Sequence, residues 1–172
     1  MPGSDGMDLN PDTAARLDPA VVHLEQDCSR PWPLDDNSLD CVFTSNFFEH
    51  LPDKTSLLNT LEQACRCLKP DGRLIAMGPN IRVIPALYWD FFDHLLPLSD
   101  RSLQEGLELA GLKVLRRTPR FLPYTMQGKR PSPKSLIRLY LRIPLAWRFF
   151  GHQFLLVAAP AGDHRPRVES ER

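Results

Sequence analysis

The chain has 172 residues, 42% hydrophobic and 24% charged, the make-up of one globular domain rather than of a disordered, collagenous or membrane-spanning chain. Its 21 basic and 21 acidic side chains cancel, so no global field would draw it to nucleic acid. No signal peptide opens the chain, no apolar run is long enough to cross a bilayer, and Cys28, Cys41, Cys65 and Cys67 lack the spacing of a zinc site or a disulfide scaffold. The expectation is four core-packed thiols in a reducing, cytoplasmic setting.

Residues 1–6 carry no periodicity and read as a ragged start. Met7 to Pro11 reads as the end of a strand and a turn, and Asp12 to Leu17 as a short helix. Val21-Val22-His23-Leu24 is a β-branched run and hence a strand, ending at Glu25 to Cys28. A loop stiffened by Pro31 and Pro33 leads to Leu39-Asp40-Cys41-Val42-Phe43-Thr44-Ser45-Asn46. This short apolar run ends in a polar corner and passes into Glu49-His50-Leu51. Asp53 then caps a helix to about Leu68, whose apolar stripe is Leu57, Leu58, Leu61, Ala64, Cys65 and Leu68.

Lys69-Pro70-Asp71-Gly72 reads as a turn, and Arg73 to Met77 as the next strand, closed by Gly78-Pro79-Asn80. Strand, helix and strand in this order imply a parallel pair with a right-handed crossover. Residues 81–98 are aromatic and irregular, with Tyr88, Trp89, Phe91 and Phe92 assigned to packing. Ser102 to Glu105 has the capping-box pattern, Leu103, Leu107 and Ala110 mark the buried face of the helix that follows, and Gly111 ends it. Leu112 to Leu115 is a strand, Phe121 to Pro133 a loop, residues 134–148 a helix interrupted at Pro144, and Phe154 to Ala159 a last strand. Residues 1–159 form the domain, and 160–172 a polar tail expected to be disordered.

The series Asp8 to Pro11, Asp27-Cys28, Leu39 to Ser45 with Glu49-His50-Leu51, and Leu68-Lys69-Pro70-Asp71-Gly72-Arg73-Leu74 resembles a class I S-adenosylmethionine-dependent methyltransferase of the type-11 kind. The resemblance covers residues 7 to about 159. It implies an α/β, Rossmann-like, doubly wound sheet that is mostly parallel with an antiparallel carboxyl-terminal strand. It also implies S-adenosylmethionine as cofactor, with Asp8 holding the ribose hydroxyls, Asp27 and the Cys28 backbone the adenine, and Ser45 and Asn46 lining the methionine side. Such a family opens with a strand that ends in a glycine-rich loop, and this sequence holds no Gly-x-Gly. The expectation is therefore an amino-terminally truncated form, a gene fragment or a degenerate member, in which the central strand would expose an apolar edge that another copy could cover.

The resemblance implies methyl transfer to a small-molecule or glycan acceptor, with O-methylation favoured because an oxygen acceptor gains from a base that removes its proton. Candidates for that base are Glu49, His50, Asp93 and His94, since imidazole titrates near neutrality. No metal site is expected, because Glu49, His50, Asp90, Asp93 and His94 match no local metal-binding spacing. Lys129, Arg130, Lys134, Arg138, Arg142 and Arg148 lie among apolar residues with no acid between them. Residues 129–148 thus read either as a basic amphipathic helix at an anionic membrane surface or as a helix packed on the sheet. The reading from another class is a non-catalytic remnant that acts as a binding module.

Overall fold

Asp53 accepts a hydrogen bond from the Ser56 amide at 2.7 Å and starts the first long helix, α1 (Lys54–Cys67). In the computed structural model, which describes residues 3–9, 11–124 and 133–162, α1 lies between two strands, β3 (Leu39–Ser45) and β4 (Leu68–Pro79). Leu57, Leu61 and Ala64 of α1 are buried, as its apolar spacing predicts. β3 and β4 are parallel, with Val42 beside Leu74 and Thr44 beside Ala76. The expected crossover is therefore formed.

The turn expected at Lys69 to Gly72 is not a separate element. β4 begins at Leu68, directly after the helix, and the irregular stretch is absorbed as a register shift between Leu39 and Cys41 on the partner strand. A bulge lets the strand accommodate the extra residues without giving up its pairing.

A two-stranded parallel sheet precedes this unit. It pairs β1 (Ser4–Asp8) with β2 (Val21–Glu25), and a 3-10 turn, Pro11–Arg16, lies in the connection. The ragged start is thus a correction: Ser4 to Asp8 is a strand because β2 supplies its ladder, which no local pattern announces. The short helix expected at Asp12 to Leu17 takes the tighter 3-10 form.

After β4 come a short helix α2 (Pro85–Tyr88), the helix α3 (Asp100–Leu109) and strand β5 (Leu112–Thr118). α3 is capped by Ser99, not Ser102. The Ser99 hydroxyl accepts from the Ser102 amide at 3.1 Å, and the Ser102 hydroxyl accepts from the Ser99 amide at 2.9 Å. The reciprocal box is real but starts three residues earlier, with serine in place of the usual Glu or Gln. Leu103, Leu107 and Ala110 are buried as expected, and Gly111 has φ 85°, the left-handed turn that glycine adopts without strain.

Two helices, α4 (Lys134–Arg142) and α5 (Pro144–Phe150), break at Pro144 as expected and lead to β6 (Gln153–Pro160). The second sheet has the order β3-β4-β6-β5, with β6 antiparallel to both neighbours. The architecture is α/β, with an antiparallel carboxyl-terminal strand. Leu61, Leu68, Leu74, Leu103, Leu107, Leu112, Phe154 and Leu156 make up much of a core between α1, α3 and the four-stranded sheet. β6 reaches Pro160, one residue beyond the expected end, and the tail from residue 163 lies outside the described residues, as do Lys129 and Arg130.

Among the described residues each sheet has two open edges, and those of β1, away from β2, and of β3, away from β4, lie near each other. Both border one cleft of about 980 Å³, with Ser4, Asp5 and Met7 on one side and Leu39 to Ser45 on the other. Phe43 is 64% exposed, and Cys41, two residues away on the same face of β3, is exposed rather than core-packed. Of the four cysteines only Cys67 is buried; Cys28 and Cys65 are half-buried.

Candidate functional site

The cleft receives the carboxyl ends of β1 and β3, where backbone amides and short polar side chains face a ligand in open α/β sheets. Cys28 and Ser45 line it, while Asp8, Asp27 and Asn46 stand outside its walls. Asp8 ends β1, and its Oδ2 accepts from the Thr13 hydroxyl at 2.9 Å. Asp27 folds back on Ser29, accepting from its hydroxyl at 2.7 Å and its amide at 2.9 Å. These bonds hold the Asp27 carboxyl below the ordinary range. Burial first, and then the charges of Asp27 and Asp8, push the Cys28 thiol up to about 11. All three groups therefore share one corner of the molecule. The Cys28 carbonyl accepts from the Trp32 indole at 2.8 Å.

Asn46 has φ 49°, which turns the chain sharply at the end of β3 and sends Phe47 to His50 across the top of the sheet. Asparagine tolerates this left-handed conformation better than most residues. The Asn46 amide nitrogen donates weakly to the Ser45 hydroxyl at 3.4 Å. Thr44 lines the cleft with a buried hydroxyl that has no protein partner.

A second group of predicted residues converges beyond that turn. Glu49, His50 and His94 each offer a donor atom within 4.8 Å of the others, although 43 residues separate His50 from Asp93 in the chain. Glu49 is 2% and His94 5% exposed. The Glu49 backbone carbonyl accepts from the Leu95 amide at 2.8 Å and the Leu96 amide at 3.0 Å, which pins the aromatic segment against β3. Gly78, at the end of β4, has room for this carboxylate: a Cβ there would meet Glu49 Oε2 at 3.4 Å and the Phe154 ring at 3.2 Å.

Electrostatics separate the members of this cluster. Burial dominates at Glu49 and pushes its carboxyl up to about 7, with His50 opposing and Asp93 assisting. Burial likewise lowers the His94 imidazole, which favours its neutral form. The His50 Nδ1 lies 2.9 Å from the Asp93 carbonyl and 3.3 Å from its carboxylate. A carbonyl can only accept, so His50 Nδ1 carries the proton, and in the neutral ring Nε2 keeps the lone pair. Glu49 Oε1 and His94 Nδ1 are buried with no protein partner.

Three residues were not among the candidates. Tyr124 places its hydroxyl 3.4 Å from His94 Nε2. Tyr88 is wholly buried, and its hydroxyl donates to the Leu96 carbonyl and accepts from the Leu98 amide, fixing the loop that carries His94. Asp100, also buried, accepts from Asn80 at 2.9 Å and pairs with Arg82 and Arg117. A loop tyrosine at position 124 has no periodic signal, and only the fold brings it to His94. The aromatic segment divides: Tyr88 packs inside and Phe91 stacks on His94 at 4.9 Å, but Trp89 and Phe92 are exposed rather than packed.

The strand order, the open crevice at the strand ends and the antiparallel last strand define the fold of the class I S-adenosylmethionine-dependent methyltransferases. Residues 5–76 match the family model described as a methyltransferase domain. A demethylmenaquinone methyltransferase of Shouchella clausii is 31% identical over 79 residues, which are 44% of this chain and 32% of that protein. The match thus spans about a third of the curated relative's length. Among solved structures, a complex of the Haloferax volcanii Trm112 methyltransferase activator with a methyltransferase is similar at TM-score 0.67 and 22% identity, over 92% of this chain and 72% of the other. A SAM-dependent methyltransferase from Archaeoglobus fulgidus is similar at TM-score 0.66 and 20% identity, over 91% and 75%.

S-adenosylmethionine is the cofactor of that class, and of the five residues expected to hold it Cys28 and Ser45 line the cleft. Its volume of about 980 Å³ is at the upper end of small-ligand pockets, which run to about 1,000 Å³. The unpartnered Thr44 hydroxyl and the Ser45 hydroxyl offer polar contacts along its wall.

Proposed function

We propose that the chain transfers a methyl group from S-adenosylmethionine to an oxygen of a small-molecule or glycan acceptor. The convergence of Glu49, His50 and His94 just past the end of β3 carries this reading, because Phe47 and Phe48, which line the cleft, lead directly into Glu49 and His50. The bound cofactor supplies an electrophilic methyl on a sulfonium. Asp8 would hold the ribose hydroxyls, Asp27 and Cys28 the adenine, and Ser45 and Asn46 the methionine side.

His50 would take the acceptor proton at Nε2, held in that tautomer by Asp93. A positioned base of this kind accounts for roughly 10²–10⁴-fold in rate. Glu49, whose carboxyl burial pushes up to about 7, would relay the proton onward. Aromatic walls from Phe91 and Tyr124 around His94 would exclude water from the acceptor.

Calorimetric titration of the 172-residue chain with S-adenosylhomocysteine and S-adenosylmethionine tests the reading. Micromolar binding that is lost in Asp8→Ala and retained in His50→Ala is expected. No heat from a chain shown by circular dichroism to be folded would favour the alternative, a non-catalytic module. The absence of Gly-x-Gly from this sequence and the two open edges on the cleft support that alternative.

A lipid-facing acceptor is the second reading, favoured by the exposure of the apolar face of α4. Leu136 is 56% and Ile137 45% exposed, and Lys134, Arg138 and Arg142 form a basic strip beside them. The similarity to a demethylmenaquinone methyltransferase points the same way.

A further inference from the structure

The geometry points to a divalent transition-metal site of the zinc class formed by Glu49, His50 and His94, with one coordination position open toward the acceptor. Two nitrogens and one carboxylate oxygen lie within 4.8 Å of one another. A tetrahedral ion with bonds of about 2.0–2.1 Å needs its ligand atoms about 3.4 Å apart. Closing the remaining gap takes rotation of the Glu49 carboxylate and a small tilt of the His50 ring, which is about a third exposed.

Three observations set this cluster apart from an ordinary polar pocket. Glu49 Oε1 and His94 Nδ1 are each buried without a protein partner. Two buried polar atoms of ligating type in one place, neither spent on a protein hydrogen bond, are available to an ion. Each imidazole is also held from its far side, as metal-bound histidines are. His50 Nδ1 donates to the Asp93 carbonyl, with the Asp93 carboxylate at 3.3 Å, so its Nε2 is free to ligate. His94 Nε2 lies 3.4 Å from the Tyr124 hydroxyl, which leaves Nδ1 as the ligand. The ligand set itself, two histidines and one glutamate with a fourth place open, is the composition of catalytic rather than structural zinc sites.

The use of such an ion rests on the proposed methyl transfer but replaces its base: with His50 Nε2 and Glu49 holding the ion, neither takes the acceptor proton. An acceptor hydroxyl bound at the open position would lose its proton to solvent near neutral pH, because a cation lowers the pKa of a bound oxygen. The resulting oxyanion is then the nucleophile, and the methyl donor carries the only carbon–sulfur bond that breaks. Occurrence of the site does not depend on that use.

The test is titration of the EDTA-treated, dialysed 172-residue chain with Zn²⁺ by calorimetry and with Co²⁺ by visible absorption. One ion per chain, a Kd in the micromolar range or below, and the visible bands of tetrahedral Co²⁺ are expected. Glu49→Gln keeps the side-chain shape while removing the charge, and His50→Gln removes a partly exposed ligand, so both variants should fold. Each should weaken binding at least tenfold, and Asp93→Asn should weaken it less. A folded chain that binds no Co²⁺ overturns the site. So does undiminished binding in Glu49→Gln, or a spectrum dominated by near-ultraviolet thiolate bands, which would assign the ion to the cysteines. A parallel titration with S-adenosylhomocysteine separates the two readings: metal without nucleoside binding leaves this site standing and removes the methyl-transfer proposal, and the reverse result removes only the metal.

Discussion

Glu49 shows how far a residue's neighbours can move it from its type. Its carboxyl is walled in by Gly78 and Phe154 and faces His50, Asp93, His94, Tyr88 and Tyr124. Because its folded-state pKa is raised, the unfolded chain releases the Glu49 proton first, near pH 4.5, and the folded chain holds it until about 7. The stability linked to Glu49 is thus fully present below pH 4.5 and lost as the pH rises through about 7. The span of about 2.5 pH units at about 1.4 kcal/mol each puts the loss on the order of 3 kcal/mol. His94 acts in the opposite sense, since its lowered pKa removes stability as the pH falls. Comparing wild type with Glu49→Gln in EDTA isolates the first effect. Urea unfolding from pH 4.5 to 8 should show wild type losing stability relative to the variant as the pH rises. Parallel curves would mean that Glu49 is solvated in solution.

At the scale of elements, α4 departs most from the usual rule that a helix buries its apolar face. Tyr140 and Trp147 tether the helical pair: the Tyr140 hydroxyl donates to the Phe121 carbonyl at 2.6 Å, and Trp147 packs edge-on against Phe121 at 5.0 Å. The remaining apolar side chains of α4 and α5, among them Leu139, Leu145, Phe149 and Phe150, stay exposed. A basic strip beside an exposed apolar face suits an anionic lipid surface, where each Lys or Arg adds about 1 kcal/mol. The chain should sediment with phosphatidylserine-containing vesicles at low salt, less so at high salt, and less again as Leu136→Glu. No sedimentation under any of these conditions would leave the face to another occupant. By contrast α1 and α3 obey the rule, and their buried stripes were legible because three- and four-residue spacing on a capped segment admits few other readings.

For the molecule as a whole, the open edges of β1 and β3 are the dominant feature. Unpaired strand edges with an exposed aromatic, here Phe43, are templates for pairing with another chain. Light scattering coupled to size exclusion should show concentration-dependent self-association, reduced in Phe43→Lys. A strictly monomeric wild type at high concentration would mean that the two edges are shielded in solution.

Elements with local signals could be read directly from the order of residues. These are the capped amphipathic helix α1, the strand–helix–strand order around it, the break at Pro144 and the left-handed Gly111. The same order also placed the acidic and imidazole candidates, because Glu49-His50 follows a strand end and Asp93-His94 sits in an aromatic loop. Tertiary structure alone decided what depends on partners far along the chain. β1 exists because β2 pairs with it, and Cys41 is exposed because it lies on the face of β3 opposite Val42, which packs on the core. Tyr124 meets His94 across 30 residues. The raised Glu49 carboxyl and the unpartnered Oε1 of Glu49 and Nδ1 of His94 arise from burial, which no spacing in the chain encodes. Local spacing fixes the faces of helices and strands; which groups lose their water is settled only when those faces meet.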